Sequence, residues 1–169
     1  MLISKSLAPL QKFHQYQGQT NNCGPYTIAT ILPLFGFEGI SGDYLAKHFN
    51  QLASINGRYF PGRIGGSATF PFGLVRVLKH YHIYAQWEIF YNRNLLISRI
   101  PTNKLQIVLL SDIFKMHAHY LIIVAYDEKL GMGFIDPAFP NSAIHWIIED
   151  TFRRKWGQLG RNCILICAT

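Results

Sequence analysis

Gln17, Cys23, His119 and Asp136 are the residues of this sequence whose types and order suit thiol-based acyl transfer. A cysteine attacks a carbonyl as the thiolate, and a helix N-terminus favours that form because its unpaired N–H groups carry partial positive charge. Cys23 stands at such a point. A polar, Gln-rich stretch ends at Asn22, and Ile28, Ala29, Ile31 and Leu32 follow at helical spacing. A nucleophilic thiol also needs a base brought to it across the fold. His119 opens the apolar run HYLIIVAYD, so a strand would carry it to a fixed place. The other ring nitrogen of such a histidine needs an acceptor. Asp136 follows the next strand-like run, and a hairpin would bring it back beside His119. Gln17 precedes Cys23 closely enough to fold its amide over the thiol, where it would donate to a developing oxyanion.

Each assignment has a rival. Cys23 as a buried structural thiol fits poorly with Asn22 and Gly24 on either side. His117 shares a strand face with His119, since residues two apart point the same way. His119 is preferred because the apolar run starts directly after it. Gln19 competes with Gln17 and is read as loop lining. Asp136 before Pro137 also suits a turn, and His80 and His82 flank a helix end, where dipole contact accounts for them. No metal is expected, because the spacing of the His117-x-His119 pair is not diagnostic of zinc. No cofactor is expected either: there is no GxGxxG, and the stretch Gly62-Arg63-Ile64-Gly65-Gly66 lacks the lysine and helix start of a phosphate loop.

The elements that must hold these residues come in two blocks. Residues 1–22 read as an irregular lead-in. A helix is expected over 23–35, with Asn22 as cap, Pro25 in its first turn and Pro33 at its end or kink. A second, amphipathic helix over 41–52 has Ser41 as cap and a stripe of Tyr44, Leu45, His48, Phe49 and Leu52. Residues 53–71 form a long connection containing or bordered by Gly57, Gly62, Gly65, Gly66 and Gly73, and carrying Arg58 and Arg63. Such a loop is expected to wall a substrate groove that prefers small residues beside the scissile bond. A third helix follows over 72–81. Strands are expected over 83–90, 105–110, 119–126, 132–135 and 163–168, with a turn at 128–131 and short helical stretches over 95–100 and 151–156. Helices first and strands later is an α+β order, not βαβ alternation.

In that order the motifs resemble the papain-like cysteine peptidases. The residues that carry the resemblance are Gln17, then Cys23-Gly24-Pro25 opening a helix, His119-Tyr120 opening an apolar strand, and Phe134-Ile135-Asp136-Pro137. Within that group the chain is most similar to the double-glycine leader peptidases that process bacteriocin precursors, and to their stand-alone relatives. It has neither the membrane helices nor the nucleotide-binding domain into which the transporter-linked members continue. The resemblance spans about Gln17 to Pro137. It implies a papain-like fold, N-terminal helices packed on a C-terminal antiparallel sheet. By it Cys23 is the nucleophile, His119 the base, Asp136 its orienter and Gln17 the oxyanion donor. It further implies cleavage of peptide or amide bonds, with small residues such as Gly-Gly before the cut. The alternative is a non-hydrolytic use of the fold, as an acyltransferase or a peptide-binding module.

Composition sets the outer bounds. At 169 residues the chain is read as a single domain over 1–169, large enough to bury a core without staples. Its 49% hydrophobic and 15% charged residues exclude intrinsic disorder. The longest apolar run, 120–126, is strand-sized, so no membrane span is expected. The N-terminus has no apolar segment of a secretory signal, which favours the cytoplasm. The net charge of +7 is scattered apart from Arg153-Arg154-Lys155, read as a solvated helix face and not a nucleic-acid footprint. The expected partner is a peptide or protein substrate. Cys163 and Cys167 lie four apart in one strand, too far to bridge, and are read as small buried apolar residues.

Overall fold

The computed structural model describes residues 1–54, 61–65, 68–112 and 117–167. The sheet at its centre runs in the order β4 (Ala85–Glu88), β9 (Cys163–Cys167), β5 (Lys104–Asp112), β6 (His117–Asp127), β7 (Gly131–Ile135) and β8 (His145–Ile147), all antiparallel. A short β1 (Leu2–Ile3) also pairs with β6, Leu2 opposite Tyr126 and Ile3 opposite Ala125. β5 leaves β6 at Ile123, and β1 takes up the same edge two residues further on.

Both faces of this sheet are covered, which explains why its central strands read as unbroken apolar runs. Along β5, Leu105, Ile107 and Leu109 face one cluster and Val108 and Leu110 the other. The first cluster is closed by α2 (Cys23–Ile31), α3 (Gly42–Leu52) and α4 (Pro71–His80), through Ile28, Ile31, Leu45, Phe49, Leu74 and Leu78. The second is closed by α5 (Arg93–Ser98) and α6 (Glu149–Gly157), through Leu96, Phe152 and Trp156. The one polar side chain buried within that face of β5, Gln106, donates to the Leu96 carbonyl at 2.9 Å. Helices on an antiparallel sheet is the α+β architecture expected, with a second helical layer added on the far side.

One expectation needs correction, one strand was not expected, and the break at Pro33 is met. The lead-in is not irregular: besides β1 it contains α1 (Leu7–Lys12), whose Leu10 is fully buried. β8 was not foreseen. A strand of two or three residues shows no measurable alternation, so its pairing partner alone defines it. The expected helix over 23–35 becomes 3-10 at Leu32–Phe35, as Pro33 requires, and ends at Gly36 in the left-handed region, φ 85°. Ser41 does cap α3, its Oγ accepting from the Tyr44 N–H at 3.1 Å. Cys163 is buried as expected, whereas Cys167 is half-buried. No helix among the described residues is long and apolar enough to cross a membrane.

Two glycines set how closely the elements approach. A Cβ on Gly24 would lie 2.9 Å from Thr69 Cγ2, so glycine lets β3 (Ala68–Thr69) close against the start of α2. Its antiparallel partner is β2 (Arg63–Ile64). Gly131 opens β7 with φ 88°, and a Cβ there would lie 2.2 Å from the Ile147 carbonyl oxygen of β8.

Candidate active site

All nine residues of α2 are buried, and Cys23 is its first residue. The helix is therefore an axle through the core whose N-terminal end alone reaches a cleft, with Cys23 9% exposed. Asn22 occupies the cap position but makes no side-chain cap bond. A cap reaches the N–H of the second or third helical residue; the third is Pro25, which has none, and the Gly24 N–H is not taken up either. Asn22 Oδ1 instead accepts a hydrogen bond from the Arg63 guanidinium.

β6 and β7 bring His119 and Asp136 together. Ile122 pairs with Ile135, so Asp136, the first residue past β7, comes level with the opening of β6. His119 Nε2 donates to Asp136 Oδ1 at 2.6 Å. The same oxygen accepts from the Ala138 N–H at 2.8 Å, which fixes the carboxylate in the turn. Asp136 is thus both turn former and ring partner. Burial works to strip the proton from His119. The hydrogen bonds with Asp136 and then Cys23, with the charges of both, outweigh it and carry the imidazole up to about 9. Since Asp136 holds Nε2, Nδ1 is the nitrogen left for the thiol.

His117 lies beside His119, ring centroids 5.8 Å apart, and lines the same cleft. Its affinity for a proton is lowered, by burial first and then by the charge of His119. Of the two rivals, only His119 has the carboxylate partner and holds its proton at neutral pH.

The cleft measures about 260 Å³ and is lined by Gln17, Cys23, Thr69, His117, His119 and Tyr120, among others. A larger hollow of about 470 Å³ between α4 and β4 holds no nucleophile. Gln17 is pinned by its own backbone N–H, which donates to the Pro137 carbonyl at 2.8 Å, tying it to the turn after Asp136. Its side-chain Nε2 donates to the Thr20 carbonyl at 2.7 Å, and Oε1 is buried without a partner. Gln19 is exposed and does not line the cleft.

The expected wall over 53–71 is met in part. Ala68 and Thr69 border the cleft, and Tyr120 donates its hydroxyl to the Thr69 carbonyl at 2.8 Å. Arg63, assigned to that wall from sequence, is instead buried behind the start of α2. Gly57, Arg58, Gly66 and Ser67 lie outside the described residues. Thr69 and Tyr120 were missed as cleft residues. The His119-Tyr120 pair at the head of an apolar strand was the available signal for the second.

No protein-family model matches the chain, and none of the curated proteins matches it. Solved structures do. A Bacillus anthracis protein described as a C39-like peptidase superposes with a TM-score of 0.73 at 14% identity, over 100% of this chain and 98% of that one. The peptidase domain of Streptococcus ComA, described as a bifunctional ABC transporter of a quorum-sensing pathway, gives 0.61 at 18%, over 91% and 97%. The Streptococcus mutans ComA peptidase domain gives 0.55 at 15%, over 92% and 99%. The fold of this chain, helices first and antiparallel sheet after, is the fold of the C39-like peptidase domains.

Proposed function

We propose that the protein is a cysteine peptidase in which Cys23 is the nucleophile, His119 the acid–base group, Asp136 its orienter and Gln17 an oxyanion donor. The observation that carries this reading is the 2.6 Å bond from His119 to Asp136, in a cleft that His119 lines together with Cys23. In the first step the Cys23 thiolate attacks the peptide carbonyl carbon. The oxyanion is met by the Cys23 backbone N–H and by the Gln17 amide, of whose two N–H bonds one is directed to Thr20. The C–N bond then breaks, the imidazolium of His119 gives its proton to the departing amine, and a thioester remains on Cys23. Water attacks the thioester, His119 takes one proton from it, and the acid product leaves with the thiolate restored.

Two further points support a peptide substrate with small residues at the cut. The solved neighbours are described as peptidases. The cleft, at about 260 Å³, is below the ~300–1,000 Å³ of typical small-molecule pockets, and Tyr120 and Thr69 are tied together on its wall. Such a space suits an extended backbone with small side chains, Gly-Gly being the narrowest case.

Alkylation separates reactivity from mere exposure. Cys167 is more exposed than Cys23, and burial pushes the Cys163 thiol far up. One equivalent of iodoacetamide at pH 7, located by mass spectrometry, is expected on Cys23. Labelling that follows exposure, Cys167 first, would remove the activated thiol.

A further inference from the structure

Arg63 is the one Lys or Arg among the described residues that is buried, at 6% exposure, and the reaction above leaves it without a role. Its guanidinium donates to Asn22 Oδ1 and, from Nη1, to the Ala46 carbonyl at 3.2 Å. Nε is buried with no partner. Among the described residues, which include every Asp and Glu of the chain, no carboxylate pairs with it. Its place is firmly held: the Arg63 N–H donates to Asn50 Oδ1 at 2.9 Å, and Asn50 Nδ2 donates back to the Arg63 carbonyl at 3.0 Å.

A buried cation met only by neutral oxygens is destabilising unless a negative charge stands near. Burial loosens the proton on Arg63, and the negative charge of a thiolate at Cys23 opposes that loss. The geometry has a second consequence. Asn22 directly precedes the nucleophile, and its oxygen is the group that would otherwise turn back over the helix start. With that oxygen held by Arg63, the Cys23 and Gly24 N–H groups carry no side-chain cap and remain available to an incoming oxyanion.

We propose that Arg63 is a positioning residue of the Cys23 nucleophile: its buried guanidinium holds the Asn22 side chain off the start of α2 and supplies the fixed positive charge that stabilises the thiolate. This rests on the reading of Cys23 as the nucleophile. Arg63 is not among the residues that line the cleft, so the charge need not be displaced when substrate binds. It adds to the partial charge of the helix end, and both favour the anion.

The test is the pH profile of Cys23 alkylation by iodoacetamide, followed by mass spectrometry, with peptide turnover and a thermal melt on the same samples. Arg63→Gln keeps a hydrogen-bonding group and removes the charge. It is expected to move the alkylation midpoint up by about one pH unit and to lower kcat about tenfold, with KM within about twofold. Arg63→Lys keeps the charge and is expected to return the midpoint toward the wild-type value. A purely structural role would lower the melting temperature and leave the midpoint in place, and that result overturns the proposal. Should Arg63→Gln fail to fold, Asn22→Asp cancels the guanidinium charge with the Arg63 stem still packed. Its midpoint is expected to rise at least as far, and an unmoved midpoint there overturns the proposal equally. Failure of the peptidase reading looks different: wild type itself would then show neither selective alkylation of Cys23 nor peptide turnover.

Discussion

Burial alone would leave His119 neutral. The hydrogen bonds with Asp136 and Cys23 reverse that and hold the ring's proton up to about 9. If the protonated ring is the acid that releases the amine, activity is lost as pH rises through that value. Asp136→Asn takes away the carboxylate that raises the value and leaves burial, which lowers it. The alkaline limb of kcat/KM is therefore expected to move to lower pH, with turnover down about 10²-fold, and the melt little changed. An unmoved limb would show that Asp136 does not set the state of His119. At this scale Cys23, His119 and Asp136 could be singled out from residue type and order, and the structure bonds His119 to Asp136 in the cleft that Cys23 lines. Asn22 does stand at the cap position, as expected, but its oxygen accepts from Arg63 and makes no cap bond, which position alone could not show. The burial of Arg63 was not legible at all. Its partners Asn22, Ala46 and Asn50 come from two other segments, and no local pattern announces such a meeting.

Among the elements, β6 and β7 matter most, because their register alone sets Asp136 beside His119. Gly131 opens β7 in a conformation other residues adopt with strain, directly under the Ile147 carbonyl. Gly131→Ala is expected to destabilise the protein by roughly 2–4 kcal/mol, combining left-handed strain with an overpacked contact. Denaturant unfolding measures this. Because the change acts on packing, the pH limb of the remaining activity should stay where it is. A loss under about 0.5 kcal/mol would mean that β8 yields and does not brace the hairpin. The long strands of the sheet and α2, α3 and α4 were readable because each repeats its apolar period several times. β1, β8 and α1 were not, being two to six residues long and defined by what they pair with or pack on.

At the level of the whole molecule, one sheet is sandwiched between two helical layers, and the four candidate residues gather where the N-terminal layer meets its rim. Cys23 comes from the buried axle of that layer, His119 and Asp136 from the sheet, and Gln17 from the segment before α2, tied at 2.8 Å to the turn after Asp136. The basic residues Arg153 and Arg154 stay exposed on α6, on the other layer from Cys23. The architecture was legible from helix-then-strand order. The covering of the second face by α5 and α6 was not, since both helices are too short to declare which side of the sheet they take. The central claim is that this rim cleaves peptide bonds through Cys23. Its most direct test is a peptide library incubated with the wild-type protein and with Cys23→Ala, with the products read by mass spectrometry. The account predicts cleavage by wild type, concentrated after small residues such as Gly-Gly, and none by Cys23→Ala. Equal cleavage by both proteins, or no cleavage by a wild type whose Cys23 alkylates selectively, would contradict it.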